Sequence, residues 1–136
     1  DDYFEKKMKE IRAKKLPVET GGVLIGSYDM LRKIIYIVDT IPSPPDSDER
    51  PTSYIRGCKG LENKVDKIKE LTQGKLDYVG EWHSHPEGYS GEPSDYDAGL
   101  LAWVTNYMLL DGHPGIMAIC SDTGLDFYMG STIGNK

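Results

Sequence analysis

The pattern of apolar and polar positions along the 136 residues predicts three helices and six strands. In the first helix, Phe4, Met8 and Ile11 recur at helical spacing among charged residues. The helices are expected over Asp2–Lys15, Gly60–Gln73 and Asp95–Leu110. The strands are expected over 19–26, Lys33–Thr40, Ser53–Arg56, Leu76–His85, Ile116–Ser121 and Leu125–Met129. This order of elements predicts one α/β domain over residues 1–136, with a mixed β-sheet flanked by about three helices.

Three parts of the chain carry more specific structural predictions. The segment Ile41–Thr52 is rich in proline and acidic residues, which predicts a mobile surface loop. His113 lies in the turn sequence Asp-Gly-His-Pro and is expected to be a solvated loop residue. The residues of the third helix expected to pack on the sheet are Leu100, Leu101, Val104, Met108 and Leu109.

The composition is that of a globular protein, with 38% hydrophobic and 28% charged residues. The net charge of -6 argues against nucleic acid or anionic lipid as a partner, because both require a basic face. No apolar run approaches the roughly 20 residues that cross a bilayer, and no signal peptide is visible. Two cysteines give no disulfide framework, and we expect Cys120 to be a buried thiol and Cys58 to be inert. A reducing, cytoplasmic location is therefore expected.

Two of the three histidines lie one residue apart, in the sequence EWHSHPEGYSGEPSDYD. Side chains at i and i+2 of a strand point to the same face, so His83 and His85 are expected to reach one metal ion. Pro86 ends the strand, and the Gly- and Pro-rich residues after it are expected to form a loop. The strand therefore presents a pair of metal-ligating imidazoles at its end.

A Ser-x-x-Asp sequence follows this loop. Ser94 is expected to cap the third helix, and Asp97 then lies in the first turn. Taken alone, the two residues are typical of a capping box, in which each side chain satisfies a backbone amide at the helix start. Together with the two histidines, Asp97 completes a set of two imidazoles and one carboxylate. Such a set leaves the fourth position of a tetrahedral Zn²⁺ open for water, which is typical of catalytic zinc sites.

Two other kinds of zinc enzyme do not fit the sequence. His85, Pro86 and Glu87 match the His-x-Glu half of the nucleobase deaminase signature, but the Pro-Cys-x-x-Cys half is missing. The cysteines, Cys58 and Cys120, are not in such a pair. The His-Glu-x-x-His helix of the commoner metalloproteases is also absent.

The combined motif resembles that of the JAB/MPN metalloproteases, the JAMM family that includes deubiquitinating enzymes. The family pattern is a glutamate in a Glu-x-Gly-Gly-like strand, then His-x-His, a loop and Ser-x-x-Asp. The matching residues are Glu19, His83, His85, Ser94 and Asp97. The loop before the serine has eight residues, one more than is usual in the family. One extra residue changes the closure entropy little, so it bears on the shape of the loop rather than on its ends.

The resemblance implies a JAB/MPN-type fold and a role for each matching residue. His83, His85 and Asp97 would hold Zn²⁺, and Ser94 would donate a hydrogen bond to the developing oxyanion. Glu19 would accept a proton from the zinc-bound water and pass it to the leaving amine.

The residues that flank the motif carry predictions of their own. Tight backbone at Gly21 and Gly22 is expected to allow close approach of substrate or of the neighbouring strand. Trp82 is expected to face away from the histidines into the core, and Tyr89, on the loop, to contact substrate.

The resemblance further implies a zinc-dependent isopeptidase or peptidase that cleaves after the C-terminus of a ubiquitin-like protein or a similarly conjugated protein. The short domain and the sequence Gly-Glu-Trp-His-Ser-His-Pro are most like bacterial members. Those members occur with E1- and E2-like proteins in ubiquitin-like conjugation systems, including anti-phage operons, so such proteins are the implied partners. The alternatives are a peptidase that processes a sulfur carrier and a non-catalytic MPN scaffold. A scaffold does not require all five motif positions to be filled, as they are here.

Overall fold

The computed structural model of the protein describes residues 2–130. Within them, the helices are α1 (Asp2–Lys15), α2 (Leu61–Leu71) and α3 (Asp95–Leu109). The strands are β1 (Gly21–Asp29), β2 (Ile34–Pro42), β3 (Asp48–Arg50), β4 (Ser53–Ile55), β5 (Asp77–Ser84), β6 (Gly115–Ser121) and β7 (Gly124–Gly130). Every helix and strand that the sequence predicted is present, with small shifts at the ends, and β3 is additional. No helix in the described part of the chain is long and apolar enough to span a bilayer.

Five strands form one mixed sheet in the order β2-β1-β5-β6-β7. The pairing of β5 with β6 is parallel, and the other pairings are antiparallel. Every residue of β6 is buried, as expected for a strand that is covered on both faces. β3 and β4 form a separate two-stranded antiparallel sheet. The predicted fold class, a mixed sheet flanked by three helices, is therefore confirmed.

α1 covers one face of the sheet. Phe4 and Met8 are buried, as their helical spacing predicted. The sheet residues in the same cluster are Leu24, Val79, Trp82, Ile116, Ala118 and Cys120. Trp82 is 1% exposed, and its Nε1 donates to the hydroxyl of Thr40 over 2.7 Å, so its polar atom is satisfied. Trp82 is a core residue, as predicted, and so is the buried thiol of Cys120.

α2 and α3 lie on the opposite face. The second core cluster joins Val23, Ile25 and Ile41 of the sheet region to Leu61, Val65 and Ile68 of α2. α3 lies on this same face, because its Tyr107 meets Tyr78 edge-on at 5.9 Å and its Asp97 contacts His83. Since side chains alternate along β5, Trp82 points to α1 while His83 points to α2 and α3. The metal-ligating candidates therefore lie on the α2 and α3 face.

β1 approaches both of its neighbours closely at two glycines. A Cβ at Gly21 would overlap the carbonyl oxygen of Trp82 and lie 2.6 Å from the ring of Tyr54. A Cβ at Gly22 would overlap the carbonyl oxygen of Ile41 on the other side. The tight backbone packing predicted at these glycines is confirmed for the neighbouring strands.

The segment 41–52 is not the continuous loop that its composition predicted, because β2 extends to Pro42 and β3 lies within the segment and pairs with β4. The hydroxyl of Thr20 donates to one oxygen of Glu49 over 2.5 Å, and Lys15 contacts the other oxygen over 2.9 Å. Pro51 lies in the turn between the two strands, where its missing N–H breaks no strand pairing. Contacts with residues distant in sequence therefore order this segment.

Two predictions about side-chain environment are also wrong. Val104 and Met108 of α3 are buried and the two predicted leucines before them are half-buried, but Leu109 is 48% exposed. Leu109 is rotated by about 100° from Met108 around the helix, which turns it away from the sheet. His113 is half-buried rather than solvated, because its ring stacks on Tyr28 at a centroid distance of 4.0 Å.

Candidate metal centre

Three side chains of the sequence motif lie together at one end of β5. His83 lies in the strand, His85 follows its last residue, and Asp97 lies in the first turn of α3. One ligand atom from each residue lies within 4.8 Å of those of the other two, and all three residues are buried. The structure therefore brings the predicted imidazoles and carboxylate to a single point.

The hydrogen bonds of His85 determine which ring nitrogen faces the cluster. Its Nδ1 lies 2.6 Å from the carbonyl oxygen of Ser90, and because a carbonyl only accepts, Nδ1 carries a proton. Its Nε2 lies 3.0 Å from Oδ2 of Asp97, and this carboxylate raises the pKa of His85 although burial opposes the charged form. A proton or a metal ion between Nε2 and the carboxylate satisfies both atoms. Metal-ligating histidines typically donate their other N–H to a carbonyl in this way.

Neither ring nitrogen of His83 makes a hydrogen bond within the described residues, although both are buried. Nε2 lies 2.8 Å from Oδ1 of Asp97, but the ring is not aligned for a hydrogen bond to it. An unsatisfied buried polar atom costs about 1–3 kcal/mol. A metal ion held jointly with Asp97 and His85 would supply a partner for Nε2, the nitrogen that lies beside Asp97, so the donor atoms fit a metal site.

Ser94 and Asp97 also form the capping box that the sequence allowed. Oγ of Ser94 accepts the N–H of Asp97 over 3.1 Å, and Oδ2 of Asp97 accepts the N–H of Ser94 over 2.9 Å. Burial opposes the charged form of Asp97, but the two imidazoles and the Ser94 N–H outweigh it and hold the pKa of the carboxyl well below its usual range. The cap and the metal site are compatible, because the helix start aims the same carboxylate at His83 and His85.

Glu19 reaches the cluster from the segment just before β1. Gly21 pairs with His83 in the sheet, which places the preceding residues beside the end of β5. The N–H of Glu19 donates to the carbonyl oxygen of Arg50 over 2.8 Å. Its side chain is buried, and this burial raises the pKa of the carboxyl, while the nearby histidines lower it. A buried carboxyl with a raised pKa is suited to taking up and releasing a proton.

The other two predicted residues lie at the exposed rim. Ser94 is exposed, and its capping bond uses a lone pair of the hydroxyl oxygen, so its O–H is able to donate to another group. Tyr89 is 57% exposed on the loop between β5 and α3. Both positions are accessible to a substrate.

Glu81 is a buried residue beside the cluster that the sequence analysis missed. It is 3% exposed, and its carboxylate accepts hydrogen bonds from Nε of Arg56 and from the hydroxyl of Tyr78, each over 2.6 Å. Burial raises the pKa of the Glu81 carboxyl, and the Arg56 guanidinium opposes that rise. Glu81 precedes His83 by two positions on β5, so the two side chains share one face of the sheet. This spacing is the sequence signal that could have identified Glu81.

Residues 2–127 match the family described as prokaryotic homologs of the JAB domain. The chain belongs to this family. The matched residues include α1, α2, α3 and all the strands up to part of β7, and therefore every element that builds the cluster. The resemblance to JAB/MPN proteins that the motif indicated is confirmed.

Proteins with similar sequences carry peptidase names. A CD-NTase/cGAS isopeptidase of Escherichia coli (strain TW11681) is 34% identical over 124 residues, which are 86% of this chain and 69% of that protein. A CD-NTase/cGAS isopeptidase of Enterobacter hormaechei subsp. hoffmannii (strain UCI 50) is 43% identical over 79 residues, which are 58% of this chain and 42% of that protein. A probable metalloprotease y4qB of Sinorhizobium fredii (strain NBRC 101917 / NGR234) is 28% identical over 88 residues, 64% of this chain and 52% of that protein. The chain thus matches about half the length of two of these relatives.

The solution structure of protein DSY2949 from Desulfitobacterium hafniense has a similar fold. The two structures superpose with a TM-score of 0.52, and the superposed region covers 94% of this chain and 88% of DSY2949. Because the two sequences are 19% identical, the likeness concerns the fold alone.

Proposed function

We propose that this chain is a zinc-dependent isopeptidase that cleaves the bond after the C-terminus of a protein conjugated to another protein. The observation that carries the proposal is the buried cluster of His83, His85 and Asp97 beside the carboxyl group of Glu19. Membership of the JAB family and the isopeptidase and metalloprotease names of the relatives support it. Burial of His83 without a hydrogen-bond partner costs free energy, and a metal ion shared with His85 and Asp97 would offset that cost.

The proposed ligands of the metal are His83, His85 and Asp97. Two nitrogen donors and one oxygen donor are typical of catalytic zinc sites that keep one coordination position open. When bound there, zinc supplies a Lewis acid that activates water and polarises the carbonyl group of the scissile bond. The chain contributes the orientation of these donors, through the strand pairing of β5, the Ser90 carbonyl and the helix cap.

The proposed general base is Glu19. Its buried carboxylate takes the proton of the attacking water and returns it to the leaving amine, so one group serves both halves of the reaction. Burial raises the pKa of the Glu19 carboxyl, so this carboxylate accepts a proton from water more readily than an exposed one does. The protonated carboxyl remains a much stronger acid than an ammonium group, so it can still protonate the leaving amine. The hydrogen bond from its N–H to Arg50 holds its backbone in place.

We propose Ser94 as the hydrogen-bond donor to the oxyanion that forms on the scissile carbonyl. The capping bond orients the side chain, and the O–H is left to point elsewhere. A donor that is oriented before the reaction stabilises developing charge without reorganisation. Tyr89, exposed on the same loop, is proposed to contact the substrate beside the scissile bond.

The proposed substrate is a CD-NTase attached through its C-terminus to an amine of a target, within the wider class of ubiquitin-like and similarly conjugated proteins. The names of two relatives support this choice. A C-terminal tail is extended and binds by pairing with a strand edge. The sheet of β3 and β4 is the proposed site of pairing, because the bond of the Glu19 N–H to the Arg50 carbonyl places this sheet beside the proposed base. E1- and E2-like proteins that form the conjugate, in an anti-phage setting, are the proposed partners.

A cleavage panel with purified protein tests the proposal. The panel contains a CD-NTase linked by an isopeptide bond to a lysine, the same CD-NTase fused to a reporter, a ubiquitin-like fusion, and a sulfur carrier with one extra C-terminal residue. We expect cleavage directly after the CD-NTase C-terminus, loss of cleavage with a chelator, and recovery with added zinc. Cleavage of the sulfur carrier alone would instead assign the processing role in sulfur metabolism.

Two variants provide the control. Glu19→Gln is expected to bind zinc as the wild type does and to lose cleavage, whereas Glu70→Gln, the same change at an exposed position of α2, is expected to keep it. Purified protein that holds no stoichiometric zinc and cleaves no member of the panel would support the scaffold alternative. Unchanged cleavage by Glu19→Gln would instead contradict the role of Glu19 as the general base.

A further inference from the structure

A buried arginine of α1 contacts the backbone of a proposed metal ligand. Arg12 is 9% exposed, and its Nε donates to the carbonyl oxygen of His85 over 2.9 Å. Its Nη2 donates to Oδ1 of Asp122, in the turn between β6 and β7, over 2.8 Å. Both bonds come from one planar guanidinium, so the side chain fixes the distance between its two partners.

Asp122, the second partner of Arg12, also bonds to the loop that follows His85. Its Oδ2 accepts the N–H of Gly88 over 2.8 Å. Gly88 has a φ of 86°, in the left-handed region that favours glycine, so this N–H is presented by a defined turn. Further along the loop, the hydroxyl of Tyr128 donates to the carbonyl oxygen of Gly91 over 2.6 Å. The backbone of the loop is therefore held by α1, by the turn between β6 and β7, and by β7.

The position of this loop sets the orientation of the His85 ring. β5 ends at Ser84, and the last sheet-like bond is that of the His85 N–H to the carbonyl of Cys120 over 2.9 Å. Beyond that bond, Arg12 holds the carbonyl of His85, and the ring itself donates from Nδ1 to Ser90 in the same loop. A displaced loop would turn Nε2 away from Asp97.

We infer that Arg12 is a positioning residue that holds His85 in the orientation needed to bind the metal, an inference that rests on the proposed metal site. Groups that orient a ligand without touching the metal typically change metal affinity by about 10- to 100-fold. Arg12 acts through the backbone carbonyl rather than through the ring, so we expect the lower end of this range. Arg12→Ala should therefore bind zinc about 10-fold more weakly than the wild type.

Other variants separate the two bonds of the guanidinium. Arg12→Lys keeps the charge near Asp122 but has no planar fork to reach both partners, so an intermediate zinc affinity is expected. Asp122→Ala removes the acceptor of the Gly88 N–H and of Nη2 of Arg12, so it should also weaken zinc binding. Arg32→Ala is the matched control, because the same chemical change is made at a side chain that is 75% exposed, and its zinc affinity should equal that of the wild type.

The test measures zinc affinity by competition with a chromogenic chelator, together with the visible absorption of the Co²⁺ form and thermal unfolding of the metal-free proteins. We expect weaker zinc binding and altered Co²⁺ bands for Arg12→Ala, at temperatures where the variant is folded. Wild-type zinc affinity and Co²⁺ bands in the folded variant would show that Arg12 supports only the fold, and would overturn the inference. If Arg12→Ala does not fold, Arg12→Lys and Asp122→Ala are judged by the same measurements.

The failure of this inference differs from failure of the proposed function. A wild-type protein that binds no zinc would remove the metal site and the role of Arg12 together. A wild-type protein that binds zinc, with folded variants that bind it equally well, would overturn the role of Arg12 alone.

Discussion

Ser94 has two proposed roles, and small substitutions distinguish them. Its Oγ caps α3 by accepting the N–H of Asp97 over 3.1 Å, and its O–H is proposed to donate to the oxyanion. Ser94→Ala removes both groups. Ser94→Gly removes the donor but keeps most of the capping effect, because glycine is itself a favourable residue at the start of a helix. Ser94→Thr keeps both.

The expected effects on stability follow from the cap. Alanine in place of a capping serine costs about 1 kcal/mol, and glycine costs a few tenths. With roughly 2.1 cal/mol/K per residue, the 136 residues have an unfolding entropy of about 0.29 kcal/mol/K, so 1 kcal/mol corresponds to about 3.5 °C in Tm. Ser94→Ala should lower the Tm of the metal-free protein by about 3.5 °C and Ser94→Gly by about 1 °C.

The expected effects on activity follow from the hydroxyl instead. Loss of one oxyanion donor typically lowers kcat by about 100- to 1,000-fold, so Ser94→Ala and Ser94→Gly should lose activity equally despite their different Tm values. The assay compares kcat on the isopeptide-linked substrate, zinc content and metal-free Tm for the three variants. If Ser94→Gly and Ser94→Ala retain kcat within about 3-fold of the wild type while Ser94→Ala unfolds earlier, Ser94 is a helix cap and nothing more.

Three further predictions concern pH, the metal and a buried ion pair. Glu19→Gln should stabilise the metal-free protein at neutral pH, because burial raises the pKa of the wild-type carboxyl and so disfavours its charged form. This gain in stability should grow as the pH rises through the pKa of the carboxyl in the folded protein and should disappear in acid. A difference in Tm that does not depend on pH would contradict the prediction. Removal of zinc held at about 100 times its Kd should remove about 2.7 kcal/mol of stability, and a scan that shows equal Tm values with and without chelator would argue against the site. Arg56→Met should destabilise the protein by about 3–5 kcal/mol, because it leaves the buried Glu81 carboxylate without the guanidinium that compensates its charge. Addition of Glu81→Gln should recover most of this loss in urea unfolding, and equal destabilisation of the single and double variants would contradict the pairing.

The helix cap shows how far a local motif can be understood from sequence. Ser94 and Asp97 matched both a capping box and a metal-ligand pattern, and the structure has the box and the cluster at once. The two are compatible because a carboxylate has two oxygens with several lone pairs, which serve the N–H of Ser94 and the histidines together. A choice between cap and ligand was therefore not required.

Two of the errors made from the sequence, at β3 and at His113, have a common cause. β3 consists of three charged residues, Asp48–Arg50, and shows no apolar alternation for a pattern to detect. It is ordered by contacts of Glu49 with Thr20 and Lys15, which are about 30 residues away. His113 was expected to be solvated because its turn sequence is polar, but Tyr28 of β1 stacks on it. In each case a distant partner outweighed the local preference.

By itself, the sequence determined the helices and six of the strands, the place of Trp82 in the core, and the spacing of the histidines and of Ser94 with Asp97, because these features depend on residues a few positions apart. Only the tertiary structure decided that pairing of β1 with β5 is what brings Glu19 to the histidines, that Glu81 is paired, and that Arg12 holds the backbone of His85 from 73 residues away. Such contacts depend on how β1 aligns with β5 and how α1 packs on the sheet. No local pattern encodes that alignment, because it results from the packing of the whole core.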